Sequence, residues 1–353
     1  MTIYHQPRVS INIVSWNSME FLPDLLETTM RQTFKDFNVL VIDNGSNDGI
    51  ETYLREQYKE VTFLRNQRNL GFSAAHNQGI RYALDHWDPA ARSQQYVLVC
   101  NPDMLMSETF LEELVQGAEA HPETGSVGGK LLRAFGENLA DEVLKETVRS
   151  DLIDSMGLNP HKNRTVTDMG AGEKDEGQYD SVEEVFGVSG ACVLFRASAL
   201  EDVRFEDEFF DHDFFAYKED VDIAWRLRHQ GWTARIVPAA VAYHYRGMYG
   251  KEASGLLAKA LNRRKKSSQR NYYSTRNHWL MLIKNLRVFN GLLALPRMVV
   301  HEFLRVVYIF VVEPSTLRAG LDVFRLLPRM LTKRRAVMEK VRVSAKDVRT
   351  WFV

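Results

Sequence analysis

This chain predicts an α/β fold around a doubly wound, mainly parallel sheet, on three observations. Short apolar runs alternate with helical patterns through the first half, the order that builds parallel sheets from right-handed crossovers. Several of those runs end in clusters of Asp, Asn, Ser and Gly, where open α/β sheets hold ligands. After about residue 260 the pattern becomes helical, amphipathic and basic, so a catalytic-type domain over 1–260 is expected to precede a helical region over 261–353.

The elements follow in order. Residues 9–15 are a β-branched run, and 20–32 have helical spacing. Residues 37–43 form a second apolar strand that ends in Asp43-Asn44-Gly45-Ser46-Asn47-Asp48-Gly49, dense in turn formers. A helix over 50–58, a short strand over 61–64, a helix over 73–86 and a strand over 96–100 come next. Residues 133–184 are polar and contain glycine, and they read as a long functional or mobile loop. A strand-like pattern returns over 185–195, followed by a helix over 219–230 and strands over 234–237 and 241–244. Beyond residue 262, Pro296, Pro314 and Pro328 are expected to divide the helical region into pieces.

The composition, 45% hydrophobic and 26% charged over 353 residues, is that of an ordinary globular protein. A net charge of −1 hides a split, since from residue 259 onward there are 21 Lys and Arg against 5 Asp and Glu. The split predicts an acidic body and a basic region facing nucleic acid or the anionic face of a membrane. Two cysteines, Cys100 and Cys192, both in apolar runs, argue against a disulfide framework or a zinc site. The N-terminus shows no signal-peptide pattern, and the best bilayer-spanning candidate, 288–312, is interrupted by Arg297, His301, Glu302 and Arg305. A reduced, cytoplasmic compartment is expected.

The chemistry gathers at strand ends. Ser15-Trp16-Asn17, Asp43-Asn44, Asn101-Pro102-Asp103 and His244 each follow an apolar run. In a parallel sheet these ends converge on one edge. Each alone reads more readily as a turn residue or a structural histidine than as a ligand contact. Together, an Asp and a His with room for water suit a hard divalent cation against a diphosphate. Glu219, Asp220 and Asp222, behind a cluster of aromatic residues, supply a separate carboxylate that can take a proton. Taken alone, this triplet reads equally as the acidic first turn of a helix.

These residues resemble family 2 glycosyltransferases, inverting enzymes of the nucleotide-diphospho-sugar transferase A-type fold, and among them bacterial rhamnosyltransferases. The resemblance runs through Ile13-Val14-Ser15-Trp16-Asn17, the Asp43 turn and Asn69-Leu70-Gly71-Phe72. It continues through Ala75-His76-Asn77, Asn101-Pro102-Asp103 and Ser189-Gly190-Ala191 to Glu219-Asp220-Val221-Asp222 and His244. It implies a donor pocket of Ser15, Trp16, Asn17, Asp43, Asn69, Gly71, Phe72, Asn77, Asn101 and Asp103. Gly71 would let backbone approach the ligand. Asp103 and His244 would hold Mg²⁺ or Mn²⁺, although Asn101 stands where the family usually has the first Asp of its metal motif. Asp220 would be the catalytic base, with Gly190, Ala191 and Glu219 on the acceptor side and Asp222 paired with an Arg. The implied reaction moves a sugar to a hydroxyl of a glycan or lipid-linked glycan in bacterial cell-surface polysaccharide synthesis. The donor expected is dTDP-L-rhamnose.

Three other readings remain beside this one: a UDP-linked donor, a sugar-nucleotide-binding protein without catalysis, and a nucleic-acid-binding protein. The last is set aside because the aromatics of the basic region fit an amphipathic helix equally well. That region is expected either to hold the protein peripherally on the inner face of the cell membrane or to pack on the body or on a second subunit as a homodimer.

Overall fold

The computed structural model describes residues 6–138, 145–245 and 267–353. The first five residues and the expected boundary at 260/261 lie outside the described residues. The strands are β1 (Val9–Ser15), β2 (Phe37–Asp43), β3 (Thr62–Arg65), β4 (Tyr96–Cys100), β5 (Met104–Met106), β6 (Thr124–Asn138), β7 (Lys145–Ser155), β8 (Leu158–Pro160), β9 (Val166–Asp168), β10 (Cys192–Arg196) and β11 (Thr233–Tyr245). The helices are α1 (Leu22–Met30), α2 (Ile50–Gln57), α3 (Gly71–His86), α4 (Phe110–Glu119), α5 (Ala197–Val203), α6 (Glu219–Gln230), α7 (Ser268–Asn285), α8 (Val288–Val312), α9 (Arg318–Glu339) and α10 (Ala345–Thr350).

Nine strands form one sheet in the order β3-β2-β1-β4-β10-β6-β11-β5, with β7 paired to β6. The first four are parallel. β1 is buried on both faces, with Val9, Ile11 and Ile13 packed among residues of α1 and α4. Its opposite face carries Asn12, whose side chain lies so close to Gly79 of α3 that a Cβ there would stand 2.7 Å from it.

The second half departs from the expected parallel order. β10 runs antiparallel to both β4 and β6, so the sheet is mixed. The reason is topological: the chain returns to the edge where β4 ends, fixed by Asn101 N–H to the Ala191 carbonyl at 2.8 Å, and can only run back down. The two strands expected at 234–237 and 241–244 are one, β11, with a register shift against β6 between Val237 and Val241.

The stretch 133–184 is not the long loop expected. It contains the end of β6, β7, and a small β8–β9 ribbon. On β7, buried Ile153 lies between Asp151 and Asp154, so the strand's alternation is hidden by charge.

Pro314 divides the helical region as expected, but the other two prolines behave differently. Pro296 and Pro328 lie inside α8 and α9, because long helical stretches on both sides carry the loss of one i to i−4 bond each. The actual breaks fall at Leu286–Arg287 and at the Pro314–Leu317 turn. The C-terminal helices pack on α6 through a core of Phe186, Trp225, Leu280, Met281, Met330 and Phe352.

Candidate active site

The ends of β1, β2, β4 and β11 and the start of α6 carry most of the expected residues. At the end of β1, Ser15 Oγ is buried without a hydrogen-bond partner and Trp16 is 55% exposed. Asn17 takes a left-handed φ of 50° and caps Asn47 N–H at 2.9 Å. Asp43 is fully buried and is held by the Ser46 N–H at 3.0 and 3.2 Å and by the Ser46 hydroxyl. Asn69 accepts from Gly71 N–H at 2.8 Å, and Asn44 donates to the Gly71 carbonyl at 3.2 Å.

Two of the expected donor contacts have other roles. Asn77 is closed off, since its amide donates to the Phe210 carbonyl at 2.7 Å and accepts from the Phe209 and Phe210 N–H groups at 3.1 and 2.9 Å. With no exposed surface, it clamps that segment instead of lining a pocket. Gly71, at φ 84°, is required by the protein's own backbone. A Cβ there would stand 2.5 Å from the Phe215 carbonyl oxygen.

The acidic end of the site is continuous. Asp220 accepts from Val221 N–H at 2.8 Å and Gly190 N–H at 3.3 Å. Gly190 leaves room for this approach, with an added Cβ 3.3 Å from the Asp220 side chain and 3.6 Å from the Phe72 ring. Ala191 then anchors Asn101, and Asp103 follows two residues on. Asp103 Oδ1 faces His244 Nε2 at 3.3 Å, and His244 Nδ1 lies 2.8 Å from Asp154 Oδ2.

Charge is distributed unevenly. Burial and the neighbouring Asp220 carboxylate push the Glu219 carboxyl up to about 8, so a neighbour's charge raises Glu219, the buried member of the pair. Burial alone would lower His244, but Asp103 and Asp154 on its two ring nitrogens outweigh it and hold the imidazole up to about 9. Asp222 is a structural partner, paired with Arg226 at 2.9 Å, Lys284 at 2.9 Å and the Asn285 amide at 2.8 Å.

Among the described residues no three His, Cys, Asp or Glu side chains form a metal cage. The donor set Asp103 and His244 still fits a hard cation that takes its other ligands from a diphosphate and water. Asp103 Oδ1 is buried and faces His244 Nε2 at 3.3 Å, so the two donors sit side by side, and Asp154 fixes the far nitrogen of the imidazole, the outer contact that metal-binding histidines usually have. Sequence reasoning missed Asp154. Its only signal was a buried-type position inside a charged strand.

It also missed what holds the start of α6. Phe215, Tyr217 and Lys218, immediately before α6, all have positive φ, 60°, 72° and 72°. Asn277 of α7 clamps this turn, its amide donating to the carbonyls of Phe214 at 2.7 Å, Ala216 at 2.9 Å and Tyr217 at 2.7 Å. Below it, Lys333 of α9 meets Glu208 at 2.6 Å, Asp213 at 3.0 Å and also Asp211. Lys284 joins Asp211 to Asp222.

Residues 10–204 match the model of Glycosyl transferase family 2, and residues 164–321 match that of Glycosyl transferase family group 2. N-acetylglucosaminyl-diphospho-decaprenol L-rhamnosyltransferase of Mycobacterium tuberculosis is 28% identical over 238 residues, covering 66% of this chain and 74% of that protein. Rhamnosyltransferase WbbL of Escherichia coli is 28% identical over 238 residues, 67% of this chain and 83% of WbbL. Among solved structures, GalNAc-T7 with UDP, GalNAc and Mn²⁺ superposes with a TM-score of 0.57 at 13% identity, covering 79% of this chain and 48% of that one. Residues 1–349 of S. aureus TarS superpose with a TM-score of 0.51 at 14% identity, covering 98% and 90%. These likenesses place the fold among A-type glycosyltransferases.

Proposed function

The chain belongs to glycosyl transferase family 2 and is a glycosyltransferase, and on that premise we propose that it moves L-rhamnose from dTDP-L-rhamnose to a hydroxyl of a glycan or lipid-linked glycan. Similarity to two rhamnosyltransferases, each over 238 residues, supports the sugar. The name of the first, which acts on a diphospho-decaprenol, supports a lipid-linked acceptor.

The chemistry proposed is a single in-line displacement with inversion. Asp220 takes the acceptor hydroxyl proton as the oxygen bonds to the anomeric carbon. The anomeric C–O bond to the diphosphate breaks and dTDP departs. Asp220 suits this role because two backbone N–H groups fix its carboxylate while it remains half-buried. Glu219, buried beside it and raised to about 8, keeps its proton near neutral pH and so adds no second negative charge. Ser15, Trp16, Asn17 and Asp43 hold the nucleoside, and Asn69 and Phe72 shape the sugar side. Asp103 and His244 would hold Mg²⁺ or Mn²⁺, which would supply positive charge to the diphosphate leaving group. GalNAc-T7 was solved with Mn²⁺. In this reading residues 1–260 form the catalytic part and 261–353 a basic helical region that holds it.

A calorimetric panel of dTDP, UDP and GDP and their sugars, each with and without Mn²⁺, tests the donor. Selective, metal-enhanced binding of dTDP-L-rhamnose supports the reading. Tight binding of a UDP-sugar with none of dTDP-L-rhamnose overturns the sugar assignment. Binding without turnover on any polyprenyl-linked or glycan acceptor points to a non-catalytic protein.

A further inference from the structure

Helix α8 is amphipathic the wrong way round for a protein surrounded only by water. Apart from exposed Arg297, its polar residues face the body. Glu302 meets His278 Nε2 at 3.1 Å and accepts from Trp279 Nε1 at 2.7 Å. Arg305 pairs with Glu302 at 3.3 Å and lies 2.9 Å from His301 Nε2, and Asn290 donates to the Ala345 carbonyl at 2.9 Å. Only a narrow line, including Asn290, Ala294 and Ile309, is buried. The outward side is apolar along the whole helix, from Val288 at 71% exposed through Phe303 at 66% to Phe310 at 70% and Val311 at 72%. On α9, Leu321 at 63% and Phe324 at 75% are exposed too. Soluble monomers rarely expose an apolar patch above a few hundred Å², and this one follows a helix about 37 Å long.

We infer that this outward face lies in the surface of an anionic bilayer, with α8 parallel to the membrane plane and its apolar side chains in the headgroup and acyl boundary. Two features select lipid over a second copy of the chain. A helix-to-helix seam uses a narrow stripe of each helix, whereas the exposed apolar residues here span about half of the helix circumference at 3.6 residues per turn, wider than one facing helix covers and matched by a lipid surface. The rim is cationic, with exposed Arg297 on α8, Arg318 and Arg325 beside the α9 portion and Lys346 beside the start of α8, an arrangement that complements anionic headgroups. Among the described residues no helix is long and apolar enough to cross a membrane, which agrees with a helix lying in the surface. The inference does not depend on which sugar is transferred.

The test is flotation of the full chain with phosphatidylcholine vesicles, with and without one quarter phosphatidylglycerol, at low and high salt. The unmodified chain should float with the anionic vesicles. Phe303→Asp/Phe310→Asp should weaken partitioning at least tenfold, and Arg297→Gln/Arg318→Gln several-fold at low salt only. Tm and nucleotide affinity should be retained in both, so a fault in the active-site reading would be seen separately. No flotation with any vesicle overturns the inference. So does a stable dimer in light scattering that Phe303→Asp/Phe310→Asp splits while vesicle binding is absent, which would assign the face to a second copy. Equal, salt-insensitive binding to neutral vesicles would overturn the anionic part.

Discussion

Asn277→Ala should reduce transfer far more than it reduces stability. One amide serves three carbonyls of the 214–217 turn. Its two protons contribute about 1 kcal/mol each as net hydrogen bonds, and the buried carbonyls left behind add about 1 kcal/mol. Arg276 still reaches the Phe214 carbonyl at 3.3 Å, which limits the loss to about 2–3 kcal/mol. The turn itself holds three non-glycine residues at positive φ, each strained by about 1–3 kcal/mol. Strain of that size is comparable with what the clamp contributes. Without the clamp the turn should relax and the start of α6, with Asp220, should shift. A displacement of about 1 Å at a reacting group can lower a rate by about 10²-fold. The assay is kcat and KM for transfer beside calorimetric nucleotide affinity and Tm. The expected result is a fall in kcat of about 10²-fold, with nucleotide affinity close to that of the unmodified protein. Asn277→Asp, which cannot donate, should match Ala. Near-normal turnover in Asn277→Ala, or nucleotide binding lost in step with activity, would refute the strain argument.

Four further outcomes are expected. Asp220→Asn should lower kcat by about 10²–10⁴-fold with donor affinity retained; if it turns over normally while Glu219→Gln is dead, the base is misassigned. Asp103→Ala should weaken nucleoside-diphosphate binding with Mn²⁺ present and change it little in EDTA, and equal losses in both would mean direct contact with the ligand. Asp154→Ala should lower metal affinity by about 10–100-fold, and since the His244 proton competes up to about pH 9, metal affinity in the unmodified chain should rise with pH across 6.5–9; a flat profile by calorimetry would count against His244 as a ligand. Glu219 is raised from 4.5 to about 8 in the fold, so its contribution is fully present below pH 4.5 and is lost as pH rises through 8; Glu219→Gln should flatten the decline in Tm over that window, and an unchanged profile would contradict the burial argument.

Legibility in the sequence followed local pattern. Strands β1, β2 and β4 were readable because each is a continuous apolar run closed by turn formers, and α6 because its carboxylates and Gly231 mark both ends. The Asp222–Arg226 pair follows from i, i+4 spacing. What failed was non-local. The direction of β10 depends on where a long excursion returns, and no window of residues encodes that. Asn77 looks like any polar residue beside a glycine-containing turn, and its closed role appears only when Phe209 and Phe210 are placed on it across 132 and 133 positions. Asn277 is an unremarked residue in a helix until the strained turn is seen beneath it.

The charge split shows how a composition signal can be correct and its simplest reading incomplete. The basic region was expected to face an anionic partner. Part of it faces the protein's own acids, where Lys284 and Lys333 enclose fully buried Asp211. Burial would raise that carboxyl, and the two ammonium groups hold it well below the usual carboxylate range. Removing one partner of such a buried pair is strongly destabilising, about 3–5 kcal/mol, so this region is bound into the body that carries α6 and is no detachable tail. Cutting the chain near 262 would therefore remove the Asn277 clamp and the Asp211 counter-charges together, and lost activity in such a fragment would say nothing about membranes. Other cations of this region, Arg297, Arg318 and Arg325 among them, are exposed on α8 and α9. One stretch of sequence thus serves two surfaces, lysines inward onto acidic residues 208–222 and arginines outward around exposed Phe303, Phe310 and Phe324. Substituting outward residues alone separates the two roles, because none of those three phenylalanines is buried against α6.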